Sequence, residues 1–306
     1  MPAEAGPVPG LITCAQSGFF TVETDHGPVV CQLRGRLKRP RRDTDLAAVG
    51  DRVWIRLLPD GGGVIEEIAA RQRKLSRRDP RPHGFFEQVI VANPDQAVFV
   101  FACAEPDPRL RMLDRFLVVA ERQELPALVC ANKLDLVGRP RARAIYRVYE
   151  RLGYPVLYTS AKTGEGVPAL REALRGKVSV LAGPSGVGKS SLLNALQPGL
   201  GLRTREVRRA TRKGQHTTVV PELLPLEGGG YVADTPGLKA VGLWDVVPEE
   251  LDVCFRELRP WLGKCEFNDC THVHEPCCAV MQAVERGKID PARYESYVRL
   301  RLGEAE

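Results

Sequence analysis

The 306-residue sequence has no apolar run long enough to cross a bilayer, and its amino terminus lacks the pattern of a secretory signal. Both absences argue against membrane and secreted classes, so the expectation is a cytoplasmic protein without a membrane partner. A strong charge of one sign is lacking too: 44 Lys and Arg against 38 Asp and Glu leave a formal +6. The distribution is more telling than the sum. Arg34, Arg36, Lys38, Arg39, Arg41 and Arg42 form one basic stretch, 71–81 a second and 203–213 a third, while the chain after 244 is acidic overall. Such stretches favour an acidic partner. Cysteine is not scarce. Nine are present, several bunched in the last quarter, where a reducing compartment makes them metal ligands rather than disulfides.

From Leu11 to about Ile68 five short segments of strand character are punctuated by turns at Asp25-His26-Gly27 and Pro59-Asp60-Gly61-Gly62. Five short strands in so few residues suggest a small barrel of OB type, a fold that often binds nucleic acid. The basic stretches at 34–42 and 71–81 would give it RNA contact, and Phe85 and Phe86 are candidates to stack on bases or to pack in a core.

Beyond Glu87, apolar strands alternate with amphipathic helices, which implies a parallel sheet. The apolar run at 178–182 enters Gly183-Pro184-Ser185-Gly186-Val187-Gly188-Lys189-Ser190-Ser191 and then a helix, the strand, glycine loop and helix of a phosphate-binding loop. Its amides and the helix N-terminus suit phosphate, Lys189 reaches the β- and γ-phosphates, and the Ser190 hydroxyl suits Mg²⁺. At one strand end stands Asn132-Lys133-Leu134-Asp135, and at another Ser160-Ala161-Lys162. The Asp135 carboxylate matches the N1 and N2 donors of guanine, which adenine lacks, and such sites discriminate by roughly 10⁴ to 10⁵. Lys133 would lie over the base, Asn132 would brace the loop, and the Ala161 amide would meet guanine O6. Together the two loops select GTP and GDP over adenine nucleotides.

Gly214-Gln215-His216-Thr217-Thr218 and Asp234-Thr235-Pro236-Gly237 then read as the two switches. Asp234 suits Mg²⁺, Thr217 or Thr218 closes over it, and the Gly237 amide senses the γ-phosphate. The order is permuted, because the base-reading loops precede the phosphate loop. Consequently the second switch ends the GTPase domain and directly adjoins the cysteine-rich segment. Leu238 stands where a water-orienting glutamine would follow the switch glycine, so His216 is the first candidate for that role. Gln215 is the second, and an inert loop histidine is the remaining reading. Gly186 stands where potassium-activated GTPases often carry asparagine, so potassium dependence is not expected.

A helix is expected from Pro248 to about Trp261, followed by the spacing C-x4-C-x-H-x5-C and helices over 279–286 and 291–302. Three thiolates and one imidazole make a closed set suited to structural zinc, with Cys277 and His274 as competitors for Cys278 and His272.

The joint order of barrel, permuted GTPase motifs, G-P-S-G-V-G-K-S-S-L-L-N at 183–194, G-Q-H-T-T at 214–218 and the Cys/His cluster resembles the ribosome small subunit-dependent GTPase A family over roughly residues 10–300. The resemblance implies a GTPase, stimulated by the small (30S) ribosomal subunit, that binds this subunit and its 16S rRNA and assists late maturation. It implies the metal ligands Cys265, Cys270, His272 and Cys278, and it favours His216 as catalytic residue. A GTP-gated switch acting on mature ribosomes in translation would share every motif. The expected chain is a multidomain monomer. It comprises an OB-fold β-barrel over 1–72, a basic linker over 73–86, a central α/β circularly permuted P-loop GTPase domain over 87–244, and a mainly helical zinc-binding domain over 245–306.

Overall fold

The computed structural model describes residues 6–38, 45–78, 87–200, 222–234 and 248–304. Strands β1 (Val8–Gln16), β2 (Phe19–Thr24), β3 (Gly27–Leu33), β4 (Arg52–Leu57) and β5 (Gly63–Ile68) close into a barrel in the order β1-β2-β3-β5-β4, with β3 and β5 parallel. Alternation decides which side chains fill it. Ile12, Val22, Cys31, Val53, Ile55 and Ile65 are buried, while Phe19, Val30 and Trp54 face solvent. Arg71, part of the second basic stretch, is turned inward: its Nε and Nη2 donate to the two oxygens of buried Asp51, each at 2.8 Å.

Residues 74–78, expected within a linker, form β6 (Lys74–Arg78), antiparallel to β7 (Glu87–Ala92). The charged run conceals this strand, because its partner supplies the pairing. Then follow β8 (Gln96–Ala102), α1 (Leu110–Arg122), β9 (Ala127–Asn132), α2 (Arg139–Arg151), β10 (Val156–Tyr158), α3 (Val167–Leu174), β11 (Val178–Ala182), α4 (Lys189–Leu196), β12 (Leu223–Pro225) and β13 (Tyr231–Asp234). The sheet order is β10-β9-β8-β11-β13-β12, with β10 parallel to β9, β11 parallel to β13, and β12 antiparallel. Every residue of β8 and β9 is buried, as expected of strands covered on both faces.

The chain divides into two compact units. One comprises Met1–Val98, Val167–Ala182 and Lys189–Val241, the other Phe99–Gly166, Gly183–Gly188 and Gly242–Glu306. In the second unit, the continuous helix expected from Pro248 is replaced by three short 3-10 turns, Pro248–Glu250, Asp252–Cys254 and Arg259–Trp261. The extended backbone at Phe255 (φ −97°, ψ 106°) interrupts any run, and Pro260 lacks the amide that would continue it. Two true helices follow, α5 (Ala279–Glu285) and α6 (Pro291–Arg301). The latter starts cleanly, with Pro291 in its first turn and the Asp290 carboxylate accepting from the Ala292 and Arg293 amides at 3.0 and 3.4 Å. Leu251, Phe255, Leu258, Val280 and Tyr297 share a core with Val118 of α1.

Beneath that core lies an ionic group. Arg293 donates to Asp114 at 2.5 Å and grips both oxygens of Glu257 at 2.6 and 3.2 Å. Tyr149 adds a hydrogen bond to Asp114 at 2.7 Å.

Candidate functional site

The glycine loop Gly183–Gly188 connects β11 to α4, in line with the strand, loop and helix expected. Two glycines are dictated by their surroundings. Gly183 (φ 151°) lies so close to β8 that a Cβ there would be 2.0 Å from the Val100 carbonyl oxygen. Gly188 (φ 92°) lies where a Cβ would come within 2.6 Å of Asn132 Nδ2. Ser185 and Gly186 at the loop's tip are exposed, whereas Gly183 and Pro184 are buried.

The asparagine beside Gly188 joins the loops. From the end of β9, Asn132 Nδ2 donates to the Val187 carbonyl at 2.9 Å. Its Oδ1 accepts from Thr159 Oγ1 at 3.1 Å and from the Ala161 amide at 3.2 Å. Its own carbonyl accepts from the Cys103 amide at 2.8 Å. Bracing of the loop was the role expected of Asn132. Thr159, which sequence reading missed, shares it. Since the Thr159 hydroxyl proton goes to Asn132, Cys130 donates its thiol proton to Thr159 across 3.3 Å. Burial pushes the Cys130 thiol up to about 12, and that of Cys103 likewise, so both remain protonated.

The residues expected to read the base are brought together as well. Ser160 Oγ donates to Asp135 Oδ1 at 2.6 Å, fixing an exposed carboxylate that keeps lone pairs for further donors. The Ala161 amide, expected to face guanine O6, here serves Asn132. Lys162 is exposed. Lys189 and Ser190 open α4, and Asp234 closes β13 as the ladder partner of Leu181. Gln215, His216, Thr217, Thr218, Gly237 and Leu238 lie outside the described residues, as do Phe85, Phe86 and 203–213.

A second site forms in the carboxy-terminal segment. Donor atoms of Cys265, Cys270, His272 and Cys278 lie within 4.8 Å of one another, a set that could hold a metal ion. His272 Nδ1 is 3.5 Å from Cys265 Sγ and 3.4 Å from Cys278 Sγ, and the two sulfurs are 3.9 Å apart. The competitors are displaced. Cys277 has φ 57° and is exposed, and His274 is exposed, so neither enters the cluster. Burial opposes ionisation of Cys265, but the Ala279 amide and the neighbouring Cys270 and Cys278 thiols outweigh it and bring the thiol below its ordinary value.

Around these four side chains stands a shell that the spacing did not announce. Asp252 lies 3.8 Å from His272 Nε2. Glu275 accepts from the Thr271, Val273 and His274 amides at 2.7, 3.1 and 3.2 Å. Tyr294 and Tyr297 of α6 donate to the carbonyls of His272 and Thr271 at 2.8 and 2.6 Å. Carboxylates and fixed carbonyls of this kind orient a ligating histidine.

A glycine loop gripped by the asparagine of a guanine-type loop that precedes it in the chain defines a circularly permuted P-loop GTPase. Comparison with known proteins agrees. Two family profiles match, the RsgA N-terminal domain over residues 9–65 and the RsgA GTPase over residues 68–244. The chain belongs to the RsgA GTPase family. It is 48% identical over 295 residues to the small ribosomal subunit biogenesis GTPase RsgA of Gemmatimonas aurantiaca, covering 95% of this chain and 96% of that one. Among solved structures, YjeQ from Thermotoga maritima matches with TM-score 0.78 and 39% identity, over 97% of this chain and 98% of that one. YloQ, described as a circularly permuted GTPase, matches with TM-score 0.77 and 31% identity, over 99% and 97% of the two chains.

Proposed function

We propose that this GTPase is a cytoplasmic, monomeric assembly factor that binds the small ribosomal subunit and its 16S rRNA, assists late maturation, and hydrolyses GTP faster on that subunit. The observation that carries the nucleotide half is the Asn132 joint, which makes base-reading and phosphate loops one hydrogen-bonded body. The partner is supported by the names of relatives that match nearly the whole chain.

In this reading Asp135 selects guanine, the loop amides and Lys189 hold phosphate, and Ser190 and Asp234, with Thr217 or Thr218, would hold the Mg²⁺ that accompanies GTP. Mg²⁺ neutralises phosphate charge when bound. His216, or failing it Gln215, orients the attacking water. The carboxy-terminal ion is zinc. A tetrahedral ion with Zn–S of about 2.3 Å and Zn–N of about 2.0 Å sets its ligand atoms roughly 3.5–3.8 Å apart, and the sulfur and nitrogen distances of 3.4, 3.5 and 3.9 Å fit that cage. The domain boundaries at 72, 86 and 244 belong to the same proposal.

GTP turnover is measured alone, with small subunits and with large subunits, for the parent and His216→Ala. Acceleration by small subunits only, lost in the variant, is expected. Equal slow turnover in all mixtures would refute the stimulated reading and leave a GTP-gated binding switch.

A further inference from the structure

The segment between β8 and α1, Cys103-Ala104-Glu105-Pro106-Asp107-Pro108, belongs to no GTPase motif. We propose that this bend is a third wall of the guanine-nucleotide pocket, in which the Glu105 main-chain carbonyl is the positioning group that stretches Lys133 into a platform for the face of the base. The inference rests on the GTP-binding reading above and adds a specificity element to that site.

One hydrogen bond and two close approaches place the bend there. Lys133 Nζ donates to the Glu105 carbonyl. The Lys133 stem runs past the phosphate loop, its Cε 3.9 Å from where a Cβ on Gly188 would stand. Pro106 Cδ lies 3.5 Å from the corresponding point on Gly186. The lysine is thus held at its head by the bend while its stem runs beside the loop. Both linked residues, Lys133 at φ 64° and Glu105 at φ 48°, occupy the left-handed region. Side-chain-bearing residues persist there where surroundings over-determine them, and such positions cluster at ligand clamps.

The physical advantage is preorganisation. A free lysine loses most of its rotamer freedom when a ligand immobilises it. A stem already fixed before binding avoids that loss, which amounts to about tenfold in affinity, or about 1.4 kcal/mol. A platform under the base touches ground state and transition state alike, so its loss raises KM and leaves kcat unchanged.

The test uses the full-length protein with GTP, GDP and ATP. Glu105→Pro cannot adopt φ 48°, because the proline ring fixes φ near −65°, so the carbonyl moves. Glu105→Gly tolerates the left-handed backbone and keeps the carbonyl in place. Glu105→Pro is expected to raise Kd for GTP and GDP, and KM for GTP, about tenfold at unchanged kcat and Tm, with Glu105→Gly within about twofold of the parent. Parental affinity in Glu105→Pro, or a fall in kcat at unchanged KM, would overturn the inference. If Glu105→Pro fails to fold, Pro106→Gly, which frees the bend, carries the same expectation and the same refutation. A parent that binds ATP as tightly as GTP would instead overturn the GTP reading itself, so the two failures are distinguishable.

Discussion

Arg293→Met tests the ionic group buried under the carboxy-terminal core. Arg293 and Asp114 are each 2% exposed and Glu257 is 9% exposed, so the substitution strands two carboxylates with almost no access to water. It removes the three charge-assisted hydrogen bonds at 2.5, 2.6 and 3.2 Å. Breaking a buried pair by removing one partner costs roughly 3–5 kcal/mol, because the remaining charge keeps its desolvation cost without its counter-ion. For a body of this size that lowers Tm by roughly 6–20 °C. The pH dependence gives a sharper criterion. Burial already lifts the Asp114 carboxyl above its ordinary value, against the pull of Arg293, and removing the arginine lifts it further. A carboxyl raised in the folded state contributes stability that is complete below its unfolded pKa and lost as pH rises through its folded one. The deficit of Arg293→Met relative to the parent is therefore smaller at pH 5 than at pH 8. Urea unfolding of both proteins at the two pH values, with metal present throughout, measures it. A deficit under about 1 kcal/mol at pH 8, or one that grows on acidification, would refute the account.

Asn132→Ala leaves the Val187 carbonyl and Ala161 amide without their partner, and the lost bonds, at roughly 1–3 kcal/mol for a buried group left unsatisfied, predict GTP affinity about 5- to 150-fold weaker by equilibrium titration. Cys278→Ser is expected to abolish stoichiometric zinc and lower Tm, whereas Cys277→Ser, whose thiol points to solvent, keeps one zinc per chain by metal analysis. Chelation of the parent should lower Tm as Cys278→Ser does, and a parent indifferent to chelator would refute the structural role of the ion.

The barrel was legible because its inward residues alternate with period two and its turns carry Gly, Asp and Pro. The nucleotide loops were legible because their chemistry is local: Lys189 and Ser190 follow Gly188 directly, and Asp135 follows Asn132 within one turn. What connects these loops is not local. The Asn132 bond to Val187 spans 55 positions, and nothing at either residue announces the other. The strand β6 was hidden for the same reason, since Lys74-Leu75-Ser76-Arg77-Arg78 has the look of a solvated basic run until β7 pairs with it. The Cys/His cluster showed in its spacing, but that Cys278 and not Cys277 belongs to it follows from the burial of the one and the exposure of the other, which composition does not encode. The helix expected after Pro248 failed because apolar residues at near-helical intervals also suit linked 3-10 turns on a shared core.

The distance between the members of the ionic group matters for synthesis. Asp114 sits 179 residues ahead of Arg293. At roughly 5–20 residues per second the carboxylate is made about 9–36 s before its counter-ion is made. During that interval α1 cannot close its buried face without trapping an unpaired charge. A nascent chain shorter than residue 293 that buried this face would therefore bear the cost of Asp114 without its counter-ion, and α6 relieves that cost when it arrives.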